Sequence, residues 1–122
     1  MLIEGLYEVI ANENTEKGIL AKVHLHKDHE IFKGHFPGNP VMPGVCMIQM
    51  IKELTEEATG KDLFLAVSSN IKFMAIINPE KNPDLQLAID ITEEKGEVKV
   101  KNTTSFDDTV ALKLSATFKV ID

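Results

Sequence analysis

The sequence contains no arginine, no tryptophan, a single cysteine and no long apolar run. Its 13 basic residues are therefore all lysines, and its 19 acidic residues leave a formal net charge of −6. An acidic surface without guanidinium groups argues against nucleic acid as a partner. It also leaves only lysines and backbone amides to hold a phosphate. Without a run of about 18 apolar residues, no membrane-spanning helix is expected.

The cysteine content and the N-terminus predict the cellular compartment of the protein. One cysteine cannot form a disulfide within the chain, which fits a reducing compartment. The first residues, Met-Leu-Ile-Glu-Gly, show no basic region followed by an apolar core, so we expect no signal peptide. A cytoplasmic protein is therefore predicted. The length of 122 residues favours one domain spanning 1–122 with one hydrophobic core.

The most informative stretch is residues 35–51, a loop followed by a helix. The loop is too rich in proline and glycine for regular structure: Pro37, Gly38, Pro40, Pro43 and Gly44. Met42 has no side-chain oxygen to cap the helix, so the amides of Gly44 and Val45 are left open at its positive end. Open amides at this place can hold a carbonyl or an oxyanion. The alternative, that water or a loop carbonyl takes them, stays open at this point.

The helix, at about residues 43–59, is predicted to be buried at its start. Residues 45–51 are apolar on every side except at Gln49, and a helix that is apolar all round is buried all round. A buried amide without a partner costs about 1–3 kcal/mol, so we expect Gln49 to have one. Cys46 is interpreted as a small buried hydrophobe and not as a nucleophile. Gly60 is a natural end of the helix.

Alternating apolar residues predict strands before and after the helix. The predicted strands are residues 2–11, 18–26, 63–77, 85–92, 97–106 and 109–120, with turns at 12–17 and 78–83. Short connections favour antiparallel pairing, which predicts an α+β fold with one curved sheet wrapped around one central helix. The edge strands of such a sheet favour pairing across a dimer. His24 and His26 share a strand face, but no further ligand completes a metal site, so they are predicted to face solvent.

Phe32, Gly34 and the run from His35 to Val45 closely resemble the 3-hydroxyacyl-[acyl-carrier-protein] dehydratases. The resemblance implies the hotdog fold. It implies a homodimer, or a higher oligomer of dimers, with active sites at the interface. The implied substrate is a 3-hydroxyacyl thioester on the phosphopantetheine of acyl-carrier protein or coenzyme A, converted to a trans-2-enoyl thioester. It implies neither a metal nor a redox cofactor.

The resemblance also implies the roles of particular residues. His35 matches the catalytic histidine of the family, and a histidine suits the base that removes the α-proton. The backbone amide of Gly44 is expected to hold the thioester carbonyl. Phe36, Pro43 and Val45 are expected to line the substrate-binding site.

Gln49 departs from the family, which carries Glu or Asp there as the general acid. An amide has no proton of suitable acidity to give. Four explanations are open: His35 performs both proton transfers, Glu53 substitutes from one turn along the helix, a homologous partner supplies the acid, or the protein binds acyl chains without converting them. The charged run from Lys52 favours Glu53 as a solvated surface residue. The alternatives to a dehydratase are thus a non-catalytic acyl-binding or partner subunit of a hotdog heterodimer and, less favoured, an acyl thioesterase.

Overall fold

A computed structural model describes residues 5–32 and 41–121, and for residues 67–69 it describes the backbone only. The elements in chain order are β1 (Tyr7–Asn14), β2 (Gly18–Leu25), a 3₁₀ turn (Glu30–Phe32), α1 (Gly44–Thr59), β3 (Leu63–Phe73), β4 (Asp84–Glu94), β5 (Glu97–Phe106) and β6 (Thr109–Val120). The strands form one antiparallel sheet in the order β1-β2-β4-β5-β6-β3. The sheet curls around α1, so the predicted α+β fold with one central helix is confirmed.

The strands follow the alternation of the sequence. On β2 the side chains of Ile19, Ala21, Val23 and Leu25 are all buried, as the pattern predicts. The β4–β5 hairpin turns at Lys95 and Gly96, whose φ angles of 43° and 79° are both positive. Such a pair of left-handed residues matches the twist of the strands that it joins. One face of the sheet therefore packs against the core. The two-residue turn fixes the register of β4 against β5.

α1 supplies the other half of the core, but its start is less buried than predicted. Cys46, Met47, Met50, Ile51 and Leu54 are buried under the sheet, and Gly60 ends the helix in the left-handed conformation with φ 70°. Val45, in contrast, is 72% exposed, so the prediction of burial on every side is wrong there. The sheet of one chain covers only one side of the helix. Across the described ranges, no helix is long and apolar enough to cross a membrane.

The first strand and β3 depart most from their predicted bounds, and β4 is longer than the predicted 85–92 at both ends. The first strand begins at Tyr7 and continues to Asn14, through the expected turn, because its register with β2 closes only where the Thr15 amide bonds to the Gly18 carbonyl at 2.9 Å. β3 ends at Phe73 instead of residue 77. The amides of Met74 and Ala75 both point to the carbonyl of Ala111, which takes the chain out of the ladder.

The segment that follows β3 packs against the start of α1. The amide of Met42 donates to the carbonyl of Ile77 at 2.8 Å, and both side chains are fully buried. This bond fixes the residues just before the helix beside residues 73–77. The end of β3 and the first turn of α1 therefore form one unit.

Candidate active site

α1 begins without a side-chain cap. Pro43 precedes the first helical residue in an extended conformation, with φ −67° and ψ 146°. Its carbonyl accepts the amides of Cys46 and Met47 at 3.1 and 3.2 Å. For the amides of Gly44 and Val45, no acceptor occurs in residues 5–32 or 41–121. The prediction of two open amides at the positive end of the helix dipole therefore agrees with the described part of the chain.

Gly44, which carries the first of these amides, lines an apolar cavity of about 430 Å³. Its lining residues come from the start of α1 and the end of β3: Val41, Met42, Pro43, Gly44, Phe73, Met74, Ala75 and Ile76. The Phe73 ring lies against Gly44, and a Cβ atom added to Gly44 would be 3.3 Å from Cε2 of Phe73. The absence of a side chain at Gly44 thus lets an aromatic ring pack directly on the first turn. Peptide donors and an apolar wall meet at one place, an arrangement suited to an acyl carbonyl.

Gln49 lies one helical turn after Val45, on the same side of α1. This is the side that the sheet does not cover. Its Nε2 donates to Oε2 of Glu53 at 2.9 Å, and Oε1 of Glu53 accepts from the Tyr7 hydroxyl at 2.7 Å. The predicted partner of Gln49 is therefore present. Glu53 is half-buried with both oxygens engaged, so the prediction of a solvated surface residue is wrong. Gln49 does not line the cavity at Gly44 within the single chain.

Of the other predicted site residues, the structure describes only some, and only some of those line the cavity. His35 and Phe36 lie outside the described residues, so their roles remain predictions. Pro43 lines the cavity, whereas Val45 does not and is mostly exposed in the single chain. Cys46 is 2% exposed, and burial raises the pKa of its thiol, which agrees with a structural residue and disfavours a thiolate nucleophile.

A larger cavity of about 630 Å³ lies near the histidines, away from the start of α1. His24, His26 and His29 line it, and His24 Nδ1 is 2.7 Å from a carboxylate oxygen of Asp84. His24 and His26 are half-buried, so the prediction of solvent-facing rings holds only in part. In the described portion of the chain, no group of three or more His, Cys, Asp or Glu residues is arranged to hold a metal ion.

Sequence reasoning missed two contacts of this region. Tyr7 reaches Glu53 across 46 residues of sequence, and Phe73 reaches Gly44 from the end of β3. The only signals were that Tyr7 is the single tyrosine of the chain and that Phe73 falls in the predicted strand 63–77. Neither signal indicates which residue the ring contacts.

The fold defines the class of the protein first. A curled antiparallel sheet around one helix is the hotdog fold, and solved structures show the same architecture. A chain of the dehydratase heterocomplex ApeI:P from Xenorhabdus doucetiae superposes with a TM-score of 0.75 at 21% identity, covering 92% of this chain and 96% of that one. A hypothetical thioesterase from Streptococcus pneumoniae, solved with coenzyme A, gives 0.65 at 14% identity over 94% and 85% of the two chains.

The sequence comparisons then define the family. The profile of the ApeI-like family, described as ApeI dehydratase, matches residues 11–113. The 3-hydroxyacyl-[acyl-carrier-protein] dehydratase FabZ of Lactobacillus helveticus is 32% identical over 117 residues, which cover 89% of this chain and 78% of that protein. The FabZ of Fusobacterium nucleatum is also 32% identical, over all of this chain and 87% of its own length. The chain therefore belongs to the ApeI-like dehydratases, which are hydro-lyases, and its predicted resemblance to the 3-hydroxyacyl-[acyl-carrier-protein] dehydratases is confirmed.

Proposed function

We propose that the protein dehydrates a 3-hydroxyacyl thioester to the trans-2-enoyl thioester in fatty-acid synthesis or a related acyl-chain pathway. The substrate is carried on the phosphopantetheine of acyl-carrier protein or coenzyme A, and the reaction uses no metal or redox cofactor. The observation that carries this proposal is the uncapped start of α1, where Gly44, with an open amide, lines an apolar cavity. Membership of the dehydratase family supports the same reaction.

The amides of Gly44 and Val45 act on the thioester carbonyl. By donating to its oxygen they stabilise the negative charge that develops there when the α-proton leaves, which acidifies that proton. His35 is the proposed base. As the C2–H bond breaks, its electron pair forms the C2=C3 double bond and the C3–O bond breaks. The hydroxyl group then needs a proton to leave as water.

Three groups are candidates to supply that proton: Glu53, His35 and an acid of a homologous partner subunit. Both oxygens of Glu53 accept hydrogen bonds, which supports a carboxylate without a proton to donate and argues against Glu53 as the acid. The simplest route is that His35 returns the proton that it has taken. The remaining alternative with a catalytic role is an acid from a homologous partner subunit.

A second candidate function is a non-catalytic subunit of a hotdog heterodimer. The amide at Gln49 favours it, and the similar chain from Xenorhabdus doucetiae belongs to a dehydratase heterocomplex. This candidate predicts that the protein binds acyl-carrier protein or an active hotdog partner and is inert alone. Co-purification with such a partner, together with absent turnover by the homodimer, would favour it over the dehydratase.

Turnover of a 3-hydroxyacyl thioester distinguishes these functions. The purified protein is expected to convert 3-hydroxyhexanoyl-CoA into a product with enoyl-thioester absorbance, without releasing free thiol. His35→Asn, which lacks the proposed base, is the control. A folded wild-type protein that forms no enoyl thioester at high enzyme concentration would contradict the proposal for the homodimer. Release of thiol from acyl-CoA would instead indicate a thioesterase.

The edge strand β3 is the proposed dimer interface. It pairs with β6 on one side and is the last strand of the described sheet on the other. Its exposed apolar side chains continue beyond the strand: Phe64, Leu65, Ile71, Phe73, Met74 and Ile76. Apolar side chains along an unpaired edge favour a second sheet as the occupant. The proposed occupant is a second copy of this chain, which would also cover the exposed side of α1 near Val45.

We expect Ile71→Lys to weaken the dimer. The side chain is 39% exposed on β3, so a lysine is tolerated in the single chain but would lie unpaired in the interface. The dimer dissociation constant is expected to rise at least about tenfold, measured by sedimentation. Ile10→Lys is the matched control, because Ile10 is 61% exposed on the opposite edge strand β1. Equal dissociation in both variants, or in neither, would contradict β3 as the interface.

A further inference from the structure

Tyr7, Glu53 and Gln49 form a hydrogen-bonded chain beside the exposed face of α1. The Tyr7 hydroxyl donates to Oε1 of Glu53 at 2.7 Å, and Nε2 of Gln49 donates to Oε2 at 2.9 Å. All three side chains are half-buried. The mechanism proposed above gives no task to any of these three residues.

Tyr7 is well placed to keep its proton and to remain a donor. Burial is the main cause that raises the pKa of Tyr7 far above its ordinary value, followed by the hydrogen bond to Glu53 and the charges of Glu53 and Glu57. The preceding residue, Leu6, is fully buried, and its carbonyl accepts the amide of His26 at 2.7 Å. The start of β1 is thus anchored in the core, and the phenol is held over Glu53.

Glu53 fixes which way the Gln49 amide faces. A carboxylate that accepts from Tyr7 offers only lone pairs, so only the nitrogen end of an amide can bond to it. The nitrogen of Gln49 therefore faces Glu53 and the oxygen Oε1 faces away. No donor from the described parts of the chain reaches Oε1. The position that carries an acid in the family thus presents a fixed hydrogen-bond acceptor here.

We infer that Glu53, held by Tyr7, is a positioning residue that turns Oε1 of Gln49 toward the 3-hydroxyl group of the substrate. The inference rests on the proposed function, since it takes a 3-hydroxyacyl thioester as the ligand. The substrate hydroxyl donates to Oε1, and an acyl chain without that hydroxyl leaves Oε1 without its partner. The site therefore prefers 3-hydroxyacyl chains over hydroxyl-free chains, and Glu53 determines that specificity.

Glu53→Gln tests the inference, with Glu57→Gln as the matched control. A glutamine at 53 can donate or accept, so it no longer dictates the orientation of the Gln49 amide. The ratio of the dissociation constants of hexanoyl-CoA and 3-hydroxyhexanoyl-CoA is expected to fall roughly 3- to 10-fold, the worth of one net hydrogen bond. The value of kcat falls by a similar factor. Glu57→Gln makes the same chemical change at an exposed position one turn on and leaves both quantities unchanged.

A second readout is independent of activity. Tyr7 is the only tyrosine and the chain has no tryptophan, so its near-ultraviolet absorbance reports the ionisation of this phenol alone. In Glu53→Gln the ionisation midpoint is expected to move down toward that of a free tyrosine, because the hydrogen bond and the charge of Glu53 are lost. In Glu57→Gln it moves little. A midpoint that is equal in wild type and Glu53→Gln would overturn the Tyr7–Glu53 contact and the inference with it.

The two proposals fail in different ways. A wild type that prefers 3-hydroxyhexanoyl-CoA but forms no enoyl product supports the inference and contradicts the dehydratase. A wild type that turns over substrate while Glu53→Gln keeps the wild-type ratio and kcat overturns the inference and leaves the dehydratase standing. Tyr7→Phe keeps the carboxylate but removes its second donor, so it is expected to give a smaller change of the same sign. No change in Tyr7→Phe would overturn the role of Tyr7.

Discussion

Gly44→Pro is expected to lower kcat by about 10²- to 10³-fold, the usual loss when one oxyanion donor is removed. Proline at this position has no N–H to offer the thioester carbonyl, yet the backbone accepts it. Gly44 is the first helical residue, where proline is favoured, and Pro43 already has the extended conformation that a residue before proline needs. The helix is therefore retained while a single donor is lost. Circular dichroism and thermal unfolding verify that the fold is intact.

Gly44→Ala is the matched control for this variant. It adds a Cβ that presses on Cε2 of Phe73 at 3.3 Å, as proline also does, but it keeps the amide hydrogen. The ring edge can move by a few tenths of an ångström, so we expect less than about a tenfold loss, near the cost of modest overpacking. Equal losses in both variants would mean that crowding of Phe73, and not the amide, explains the effect.

Gln49→Glu is expected to raise kcat by about 10²-fold, at the low end of what a general acid contributes. The new carboxyl would lie beside Glu53, at the place where Gln49 Nε2 is now 2.9 Å from Oε2. Two carboxyls at such a distance cannot both ionise, and the pair holds one shared proton to higher pH than a lone carboxyl does. The variant would thus supply the proton that the departing hydroxyl needs. Turnover of 3-hydroxyhexanoyl-CoA across pH measures this gain.

The exchanged pair, Gln49→Glu with Glu53→Gln, is the control for the shared proton. It keeps a hydrogen bond between the two positions with the donor reversed, and it leaves only one carboxyl. We expect its activity to decline with rising pH earlier than that of Gln49→Glu, because the lone carboxyl loses its proton sooner. If neither variant exceeds the wild type, the missing acid does not limit the reaction.

The sequence was sufficient for the architecture because its patterns are local. β5 and β6 have the predicted bounds, since each strand alternates cleanly and the chain reverses at Lys95-Gly96 and Asp107-Asp108. Gly60 marks the end of α1 for a similarly local reason. The end of β3 was predicted wrongly because the apolar run continues to Ile77. What removes residues 74–77 from the sheet is their bonding to Ala111 and Met42, which no local pattern reveals.

The candidate site was predictable only where it is made of backbone. The sequence placed the cap at Met42 and the structure places it at Pro43, but neither residue has a side-chain oxygen, so the amides are uncapped either way. The Phe73 ring on Gly44 and the Tyr7 phenol on Glu53 depend on how distant strands pack against α1. Glu53 was predicted to be a surface residue because its neighbours in sequence are charged, yet a partner 46 residues away makes it part of a half-buried network.

The carbonyl stretching frequency of a bound, unreactive acyl thioester tests the central claim most directly. We propose difference infrared spectra of hexanoyl-CoA, isotope-labelled at the carbonyl, bound to wild type, Gly44→Ala and Gly44→Pro. If the amides at the start of α1 hold the carbonyl, its band shifts to lower frequency in wild type and Gly44→Ala, and the shift is reduced in Gly44→Pro. A carbonyl band in the wild type at the frequency of the free thioester would contradict the account.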